Sequence, residues 1–437
     1  MTIKAMQKLT LLLVAGSGLW AQDSMTLSEA IRKAWTEQAG LKAGQAMVDS
    51  RKAEAEAYRD LRLPTLTLQA QAVRTDEPMM AFGIKLNQAR IGMADFNPVT
   101  LNHPDAIGAY GGSALVQQPL YTGGRLTAAR KAGEFMAEAE VASQGRRKQE
   151  TALAVVQAYF GAEVAEQAMA WVKDTETWIQ GMEDFVGARV KQGLMLESEL
   201  QRLKAFHAQV DAQKAEVEMQ IRSARSGLGL LTGSGPVEGT LATPLEPVTA
   251  TPVAAASRRG DLVAADLQAK AASEGAKAAK GNNLPEVGLE LGAGTLHHSW
   301  SEKGNWTWAG VGVKWKVFSA PDLAKAQAAR AQARAARDMQ TFKEQQAEHE
   351  VRVAKEAVKA AEARYTAAQD ALAAAQESRR LREARHKEGL APLIDVLDAE
   401  AAVQGARTLI LQSLYDLRVS RASLDLATGT PIEGVQP

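Results

Sequence analysis

The chain has 437 residues, its 51 lysines and arginines are balanced by 51 aspartates and glutamates, and it has no cysteine. Both signs are interleaved along the chain, which excludes the basic stripe of a nucleic-acid surface. The lack of cysteine excludes disulfides, thiolate metal sites, a cysteine nucleophile and a lipid-modified N-terminal cysteine. Sparse aromatics and abundant alanine suit close-packed helices better than one large globular core.

Residues 1–21 read as a secretory signal peptide, with Lys4 and Lys8 ahead of an apolar run from Leu9 to Trp20. That run is too short to span a bilayer, and no apolar run of about 18 residues follows it. Thr26 and Glu29 form a capping box that starts a helix expected to reach about Asp60. Strict alternation from Thr65 to Ala72 predicts a strand over about 63–73. Residues 74 to about 109 hold Pro78, Pro98 and Pro104 and read as a long loop before a second strand at about 113–120. A helix without proline then runs from Arg125 to about Val190, and a return helix from about Leu196 to Leu231.

The proline-rich stretch 234–258 reads as a connector, after which the order begins again. A shorter helix follows Asp261, strands are expected at about 285–294 and 307–317, and an unbroken helix runs from Asp322 to about His386. Each long helix measures roughly 95 Å. Ala188 matches Ala384 at an offset of 196, which also carries Thr232-Gly233 onto Thr428-Gly429. A constant offset means one unit, helix–strand–strand–long helix–return helix, written twice, over 22–233 and 259–437. The first strand–strand loop is longer than the second by 24 residues. Gly193-Leu194 and Gly389-Leu390 stop the long helices, so 188–196 and 384–392 are hairpin tips.

The long helices carry a coiled-coil seam at Val351, Ala354, Val358, Ala361, Tyr365, Ala368, Leu372 and Ala375. Alone, it reads as an ordinary antiparallel bundle. The strands add two-faced segments: Val311, Val313 and Val317 alternate with Gly312, Lys314 and Lys316, which puts the lysines on a lumen face. With an export signal and no spanning helix, such strands favour a membrane barrel. Four strands cannot close one, so several chains must contribute.

The doubled plan resembles the outer-membrane efflux protein family, the TolC-like channels of Gram-negative bacteria. The matching pieces are Leu27-Ser28-Glu29-Ala30, Leu63-Pro64, Gln118 to Gly124, Arg259-Gly260-Asp261-Leu262 and the Gly389 to Asp398 tip. The resemblance implies an α+β membrane protein, a homotrimer with a twelve-stranded β-barrel in the outer membrane continued by a long α-helical periplasmic tunnel. It implies a passive duct for type I secretion or multidrug export, fed by an inner-membrane transporter through a periplasmic adaptor. It also implies that the tips, Gly193, Leu194, Gly389 and Leu390, contact that adaptor.

No nucleotide-binding loop, catalytic set, cofactor or nucleic-acid partner is expected. Asp395 and Asp398 share a helix face, resembling the aspartate constriction of the family, and would set six carboxylates at a trimer's periplasmic gate. A local reading is that both sit in the first turns after Pro392, where the helix dipole favours anions. The first copy has Glu199 and Arg202 there, and the family's gate-holding residues are not evident before Pro392. His297-His298 could bind a metal with Met79 or Met80, or be an exposed polar loop. Two other functions fit long helices: a trimeric coiled-coil adhesin or structural stalk, and a soluble periplasmic adaptor. A stalk would not write strands twice, and an adaptor would lack two-faced strands and Trp306, Trp308 and Trp315 near a membrane boundary.

Overall fold

Thr26 accepts a hydrogen bond from the Glu29 backbone while Glu29 accepts from the Thr26 N–H at 2.8 Å, and this reciprocal cap launches α1 (Leu27–Glu37). The computed structural model describes residues 24–247, 259–298 and 304–435. The expected signal segment and residues 248–258 of the connector lie outside the described residues. The first helix does not run on unbroken: Gln38 is extended, with ψ 124°, and α2 (Ala39–Asp60) starts after it. Gln38 is held there by the Thr151 hydroxyl, a tertiary contact that periodicity does not reveal.

β1 (Thr65–Thr75) and β2 (Ile107–Thr122) are joined by a segment expected to be loop, which instead holds α3 (Pro78–Asn87) and the short α4 (Pro98–Asn102). Pro78 and Pro98 start helices rather than prevent them, while Pro104 lies between α4 and β2. Each of the first two sits in the first turn, where no N–H is needed, behind a capping Glu77 or Asn97 side chain. α5 (Arg125–Lys191) and α6 (Glu197–Leu231) form the first hairpin. α7 (Gly260–Gly281), β3 (Glu286–His297), β4 (Asn305–Lys314), α8 (Ala320–Lys387) and α9 (Leu393–Thr428) repeat the order. β2 starts six residues before the expected position, and β4 stops at Lys314, short of Val317.

The strands form one antiparallel sheet in the order β1-β2-β3-β4. Directly paired residues share a face. Leu66, Leu68 and Ala70 pair with Val116, Ala114 and Gly112, Val116 pairs with Leu291, and Leu289 pairs with Val311. That face is apolar. The opposite face carries Thr67, Gln69 and Gln71, the Gln117–Glu290 hydrogen bond at 2.9 Å, and Glu286 paired with Lys314. Trp306 and Trp308 also lie on this polar face, their rings over Gly294 and Gly292, where any Cβ would collide with them. They are therefore not part of an outward aromatic band. α3 covers the far end of the same face, with Ala81 and Ile84 packed against Ile107, Ala109 and Leu296.

Helices follow strands in the same lateral order. α2 leads into β1, β2 into α5, α7 into β3 and β4 into α8. Among the helices α2 packs on α5, α5 on α7 and α7 on α8, while lower down α6 packs on α5, α5 on α9 and α9 on α8. The result is one strip, four elements wide, with two free edges. Exposed apolar side chains mark both: Met47 and Met219 at one, Met339 and Phe342 at the other.

A belt core joins α1, α5, α9, the connector and the turn after α9 through Ile31, Val155, Phe160, Leu411, Leu245 and Ile432. At its centre the Tyr159 hydroxyl donates to the Met25 carbonyl and accepts from the Thr243 N–H, both at 2.8 Å. Tyr159→Phe leaves both backbone groups without this partner and is expected to cost about 1–3 kcal/mol. A thermal melt of the purified full chain, followed by circular dichroism, should show a lowered midpoint; an unchanged midpoint would mean that water replaces the hydroxyl freely.

Candidate functional site: the hairpin tips and the carboxylates behind them

Both long helices end in the same way. Gly193 takes φ 72° and Gly389 φ 75°, a region that side chains other than glycine's disfavour. The N–H of Leu194 reaches the Arg189 carbonyl at 2.9 Å, and that of Leu390 the Arg385 carbonyl at 2.8 Å. The glycine N–H groups bond to the Val190 and His386 carbonyls. These bonds satisfy helix-end carbonyls and leave Leu194 and Leu390 standing in solvent, 65% and 72% exposed.

The two tips are tied together. Arg189 stacks over Phe185 and reaches the Lys387 carbonyl at 3.4 Å. His386 is buried edge-on against Phe185, with Nδ1 at 2.8 Å from the Ala391 carbonyl. Burial works against ionisation of Glu383, but hydrogen bonds from Lys387 and Trp178 hold its carboxyl below the usual range.

Asp395 and Asp398 lie in the first two turns of α9, Asp395 half-buried and Asp398 exposed. Neither side chain has a protein partner among the described residues, and no side chain caps this helix. Arg382 approaches, but it bonds to the Asp395 backbone carbonyl at 3.2 Å rather than to the carboxylate. Of the local explanations only the helix dipole remains for these two carboxylates. The matching Glu199 and Arg202 of the first copy lie on α6, at the edge of the strip.

One turn deeper is a network that the sequence reading did not find. Glu400 has no exposed surface, and it accepts from Arg379 at 2.7 Å and from Gln404 at 2.6 Å. Thr175 of α5 bonds to both Glu400 and Gln404. Arg407 continues the network to the Trp171 carbonyl at 3.3 Å, and Arg379 and Arg407 lie over the rings of Trp178 and Trp171. The residues come from α5, α8 and α9, so no single-helix pattern exposes them. The network pins α9 between its neighbours directly behind the free aspartates.

The polar residues of the sheet end of the strip divide differently. Lys314 closes β4 on the polar face. Lys316 lies beyond the strand and pairs with Asp322 of α8 at 3.2 Å. His297 ends β3 and His298 follows it, so the two diverge; one bonds to Thr295 and the other to the Gly108 carbonyl. Among the described residues, only Glu176, His207 and Asp211 converge as metal ligands do, and there Lys214 already bonds to both Glu176 oxygens.

Residues 30–234 and 251–430 match the outer membrane efflux protein family. Among solved structures, the chain is similar to a membrane protein from Pseudomonas aeruginosa, with TM-score 0.80 and 18% identity over 94% of this chain and 91% of that one. It is also similar to the outer membrane protein VceC from Vibrio cholerae, with TM-score 0.79 and 19% identity over 93% and 96% of the two chains. The open state of the MtrE outer membrane channel of Neisseria gonorrhoeae gives TM-score 0.78 and 20% identity over 94% and 90%. At these identities the structural likeness carries the fold. No curated protein matches the chain.

Arg379→Ala strands the Glu400 charge in the interior and is expected to cost about 3–5 kcal/mol. The double variant Arg379→Met with Glu400→Gln should recover most of that loss, because the buried charge is gone. Melting midpoints at one fixed protein concentration would decide it; equal losses in the single and double variants would show that packing, not the ion pair, matters here.

Proposed function

Because this chain belongs to the outer membrane efflux protein family, the channel components of tripartite efflux systems, we propose that three copies close edge to edge into a twelve-stranded outer-membrane barrel and one helical tunnel. The observation that carries this reading is the strip itself. Strands and helices keep one lateral order, and apolar side chains are exposed at both of its edges. A lone four-stranded sheet cannot span a bilayer, whereas twelve strands fall within the range of known barrels. Leu66, Leu68, Val311 and Val313 then face lipid, and Thr67, Gln69, Gln71 and Lys314 face the lumen. Lys316 stands at the barrel rim. Helices of 67 and 68 residues extend roughly 100 Å, several times the thickness of a hydrocarbon core, and carry the duct across the periplasm.

The duct is passive. Substrates reach it from an inner-membrane transporter through a periplasmic adaptor. Gly193, Leu194, Gly389 and Leu390 receive that adaptor, since the two exposed leucines sit at the turns farthest from the sheet. The stalk and soluble-adaptor readings are not favoured, because neither accounts for two strand pairs in the middle of two repeats within this family.

Native mass spectrometry of the full chain in neutral detergent should give three copies. Gly193→Trp with Gly389→Trp should leave that count unchanged and abolish export in cells that depend on this protein. A monomer or dimer, or undiminished export, would sink the corresponding half of the reading.

The gate follows from Asp395 and Asp398. In a trimer their carboxylates surround one axis, and like charges at close range repel, which favours an open mouth. Closure then depends on the packing behind them or on bound cations, for which oxygen ligands suit divalent ions. Asp395→Asn with Asp398→Asn should reduce cation preference and remove any block by millimolar calcium or magnesium in single-channel recordings. Identical traces from wild type and variant would leave the dipole account alone standing.

A further inference from the structure

We propose that the groove between α7 and α8 binds a phosphate-bearing anion. The groove encloses about 740 Å³ and is lined by Lys277 and Lys280 of α7 and by Arg330, Arg334 and Arg337 of α8. Elsewhere on these helices a cation usually faces a carboxylate three or four residues away, as Lys359 faces Glu356 and Lys387 faces Glu383. From 326 to 337, α8 holds only alanine, glutamine and the three arginines, and Asp338, four residues after Arg334, forms no ion pair with it among the described residues. Within the groove, Lys277 is paired with Glu274 at 2.6 Å, and Arg337 bonds to the Ser273 hydroxyl at 3.4 Å. Lys280, Arg330 and Arg334 have no side-chain partner among the described residues. The chain as a whole is neutral, so this concentration of one sign is local.

Uncompensated cations facing one another across a cleft repel, and an anion between them removes that cost. Arginines at steps of four and three share one helix face, with neighbouring side chains about 5–6 Å apart. Guanidinium forks match phosphate oxygens in pairs, which favours a phosphate over a point anion such as chloride. Lys280 lies six residues before β3 begins, so the groove sits at the sheet end of the helical layer. Phosphate there has two sources, a phospholipid headgroup or a soluble phosphate-bearing solute. The groove's charge and shape stand without the barrel; only its nearness to a membrane rests on the proposed function.

The test uses the full chain and two probes. After incubation with vesicles of equal phosphatidylglycerol and phosphatidylcholine, native mass spectrometry counts retained phosphatidylglycerol. Calorimetry with inorganic pyrophosphate, in detergent without lipid, reads the soluble source. The variant Lys280→Gln, Arg330→Gln, Arg334→Gln is compared with a control that removes three exposed cations elsewhere, Lys52→Gln, Arg352→Gln, Lys355→Gln. The expected result is at least a tenfold loss of binding for the groove variant, with the control unchanged and all melts alike. Loss in the lipid arm assigns a headgroup, and loss in the pyrophosphate arm alone assigns a soluble anion. Equal binding by wild type and groove variant in both arms, or an equal loss in the control, overturns the site. The pyrophosphate arm needs no barrel, so it reads the groove even if the trimer fails.

Discussion

The outer edges of β1 and β4 set a constraint on everything else in this molecule. Each edge presents a row of backbone N–H and C=O groups, and the described chain pairs neither row. In hydrocarbon each such group costs several kcal/mol, and a closed barrel is the one sheet that leaves none behind. The face pattern fits the same demand. Side chains are apolar on the side that would meet lipid, and on the other side they are threonine, glutamine, glutamate and lysine, with two tryptophans laid over glycines. Because helices enter and leave the strands in strand order, closing the sheet also closes the helices. In the proposed trimer a single act of edge pairing would thus make both the pore and the tunnel.

Charge is handled in two contrasting ways along that strip. At some helix crossings inside one chain it is buried and answered by several partners at once. Arg259, 7% exposed, meets Asp261 at 2.7 Å, Glu350 at 2.8 Å and the Ala427 carbonyl at 3.2 Å, joining the start of α7 to α8 and the end of α9. Glu400 does the same among α5, α8 and α9. Such networks fix register between helices whose alanine seams would otherwise permit sliding. Where charge is left unanswered, as at Asp395, Asp398 and the α7–α8 groove, it faces space rather than protein. Unanswered charge on an otherwise balanced chain is where ligands, ions or further copies have something to bind.

The sequence exposed those features that depend on one element and its nearest neighbour. Between 351 and 375 the eight predicted seam residues of α8 are all buried or half-buried, and every residue between them is exposed. α8 lies at an edge and packs mainly on one side, so one stripe describes it. α5 packs against α2, α6, α7 and α9, and its burial follows no single stripe. The tips were legible because a glycine with positive φ leaves a direct mark. The break at Gln38, the helices after Pro78 and Pro98, the Glu400 network and the basic groove were not. Each depends on partners distant in sequence or, for the prolines, on a capping side chain that turns a breaker into a starter. Interleaved charge read along the chain hid the groove, because its cations come together from two helices some fifty residues apart.

The two copies of the duplicated unit place their return helices in different surroundings. α9, the return helix of the second copy, lies between α5 and α8, and it carries the two free aspartates with the Glu400 network behind them. α6, its counterpart, lies at the edge and carries Glu199 and Arg202, charges of opposite sign on one helical step. Two identical hairpins per chain would give three copies a sixfold ring of like carboxylates. The sequence difference lowers that symmetry to threefold. The two like carboxylates belong to a helix braced on both sides, and the residues of opposite sign belong to a helix at the edge of the strip, which in the proposed trimer would meet the next copy. In the proposed trimer, a mouth that opened by sliding hairpins would need one set held and one set mobile. The divergence of the repeats at these few positions would supply that asymmetry to such a trimer without altering its long helices.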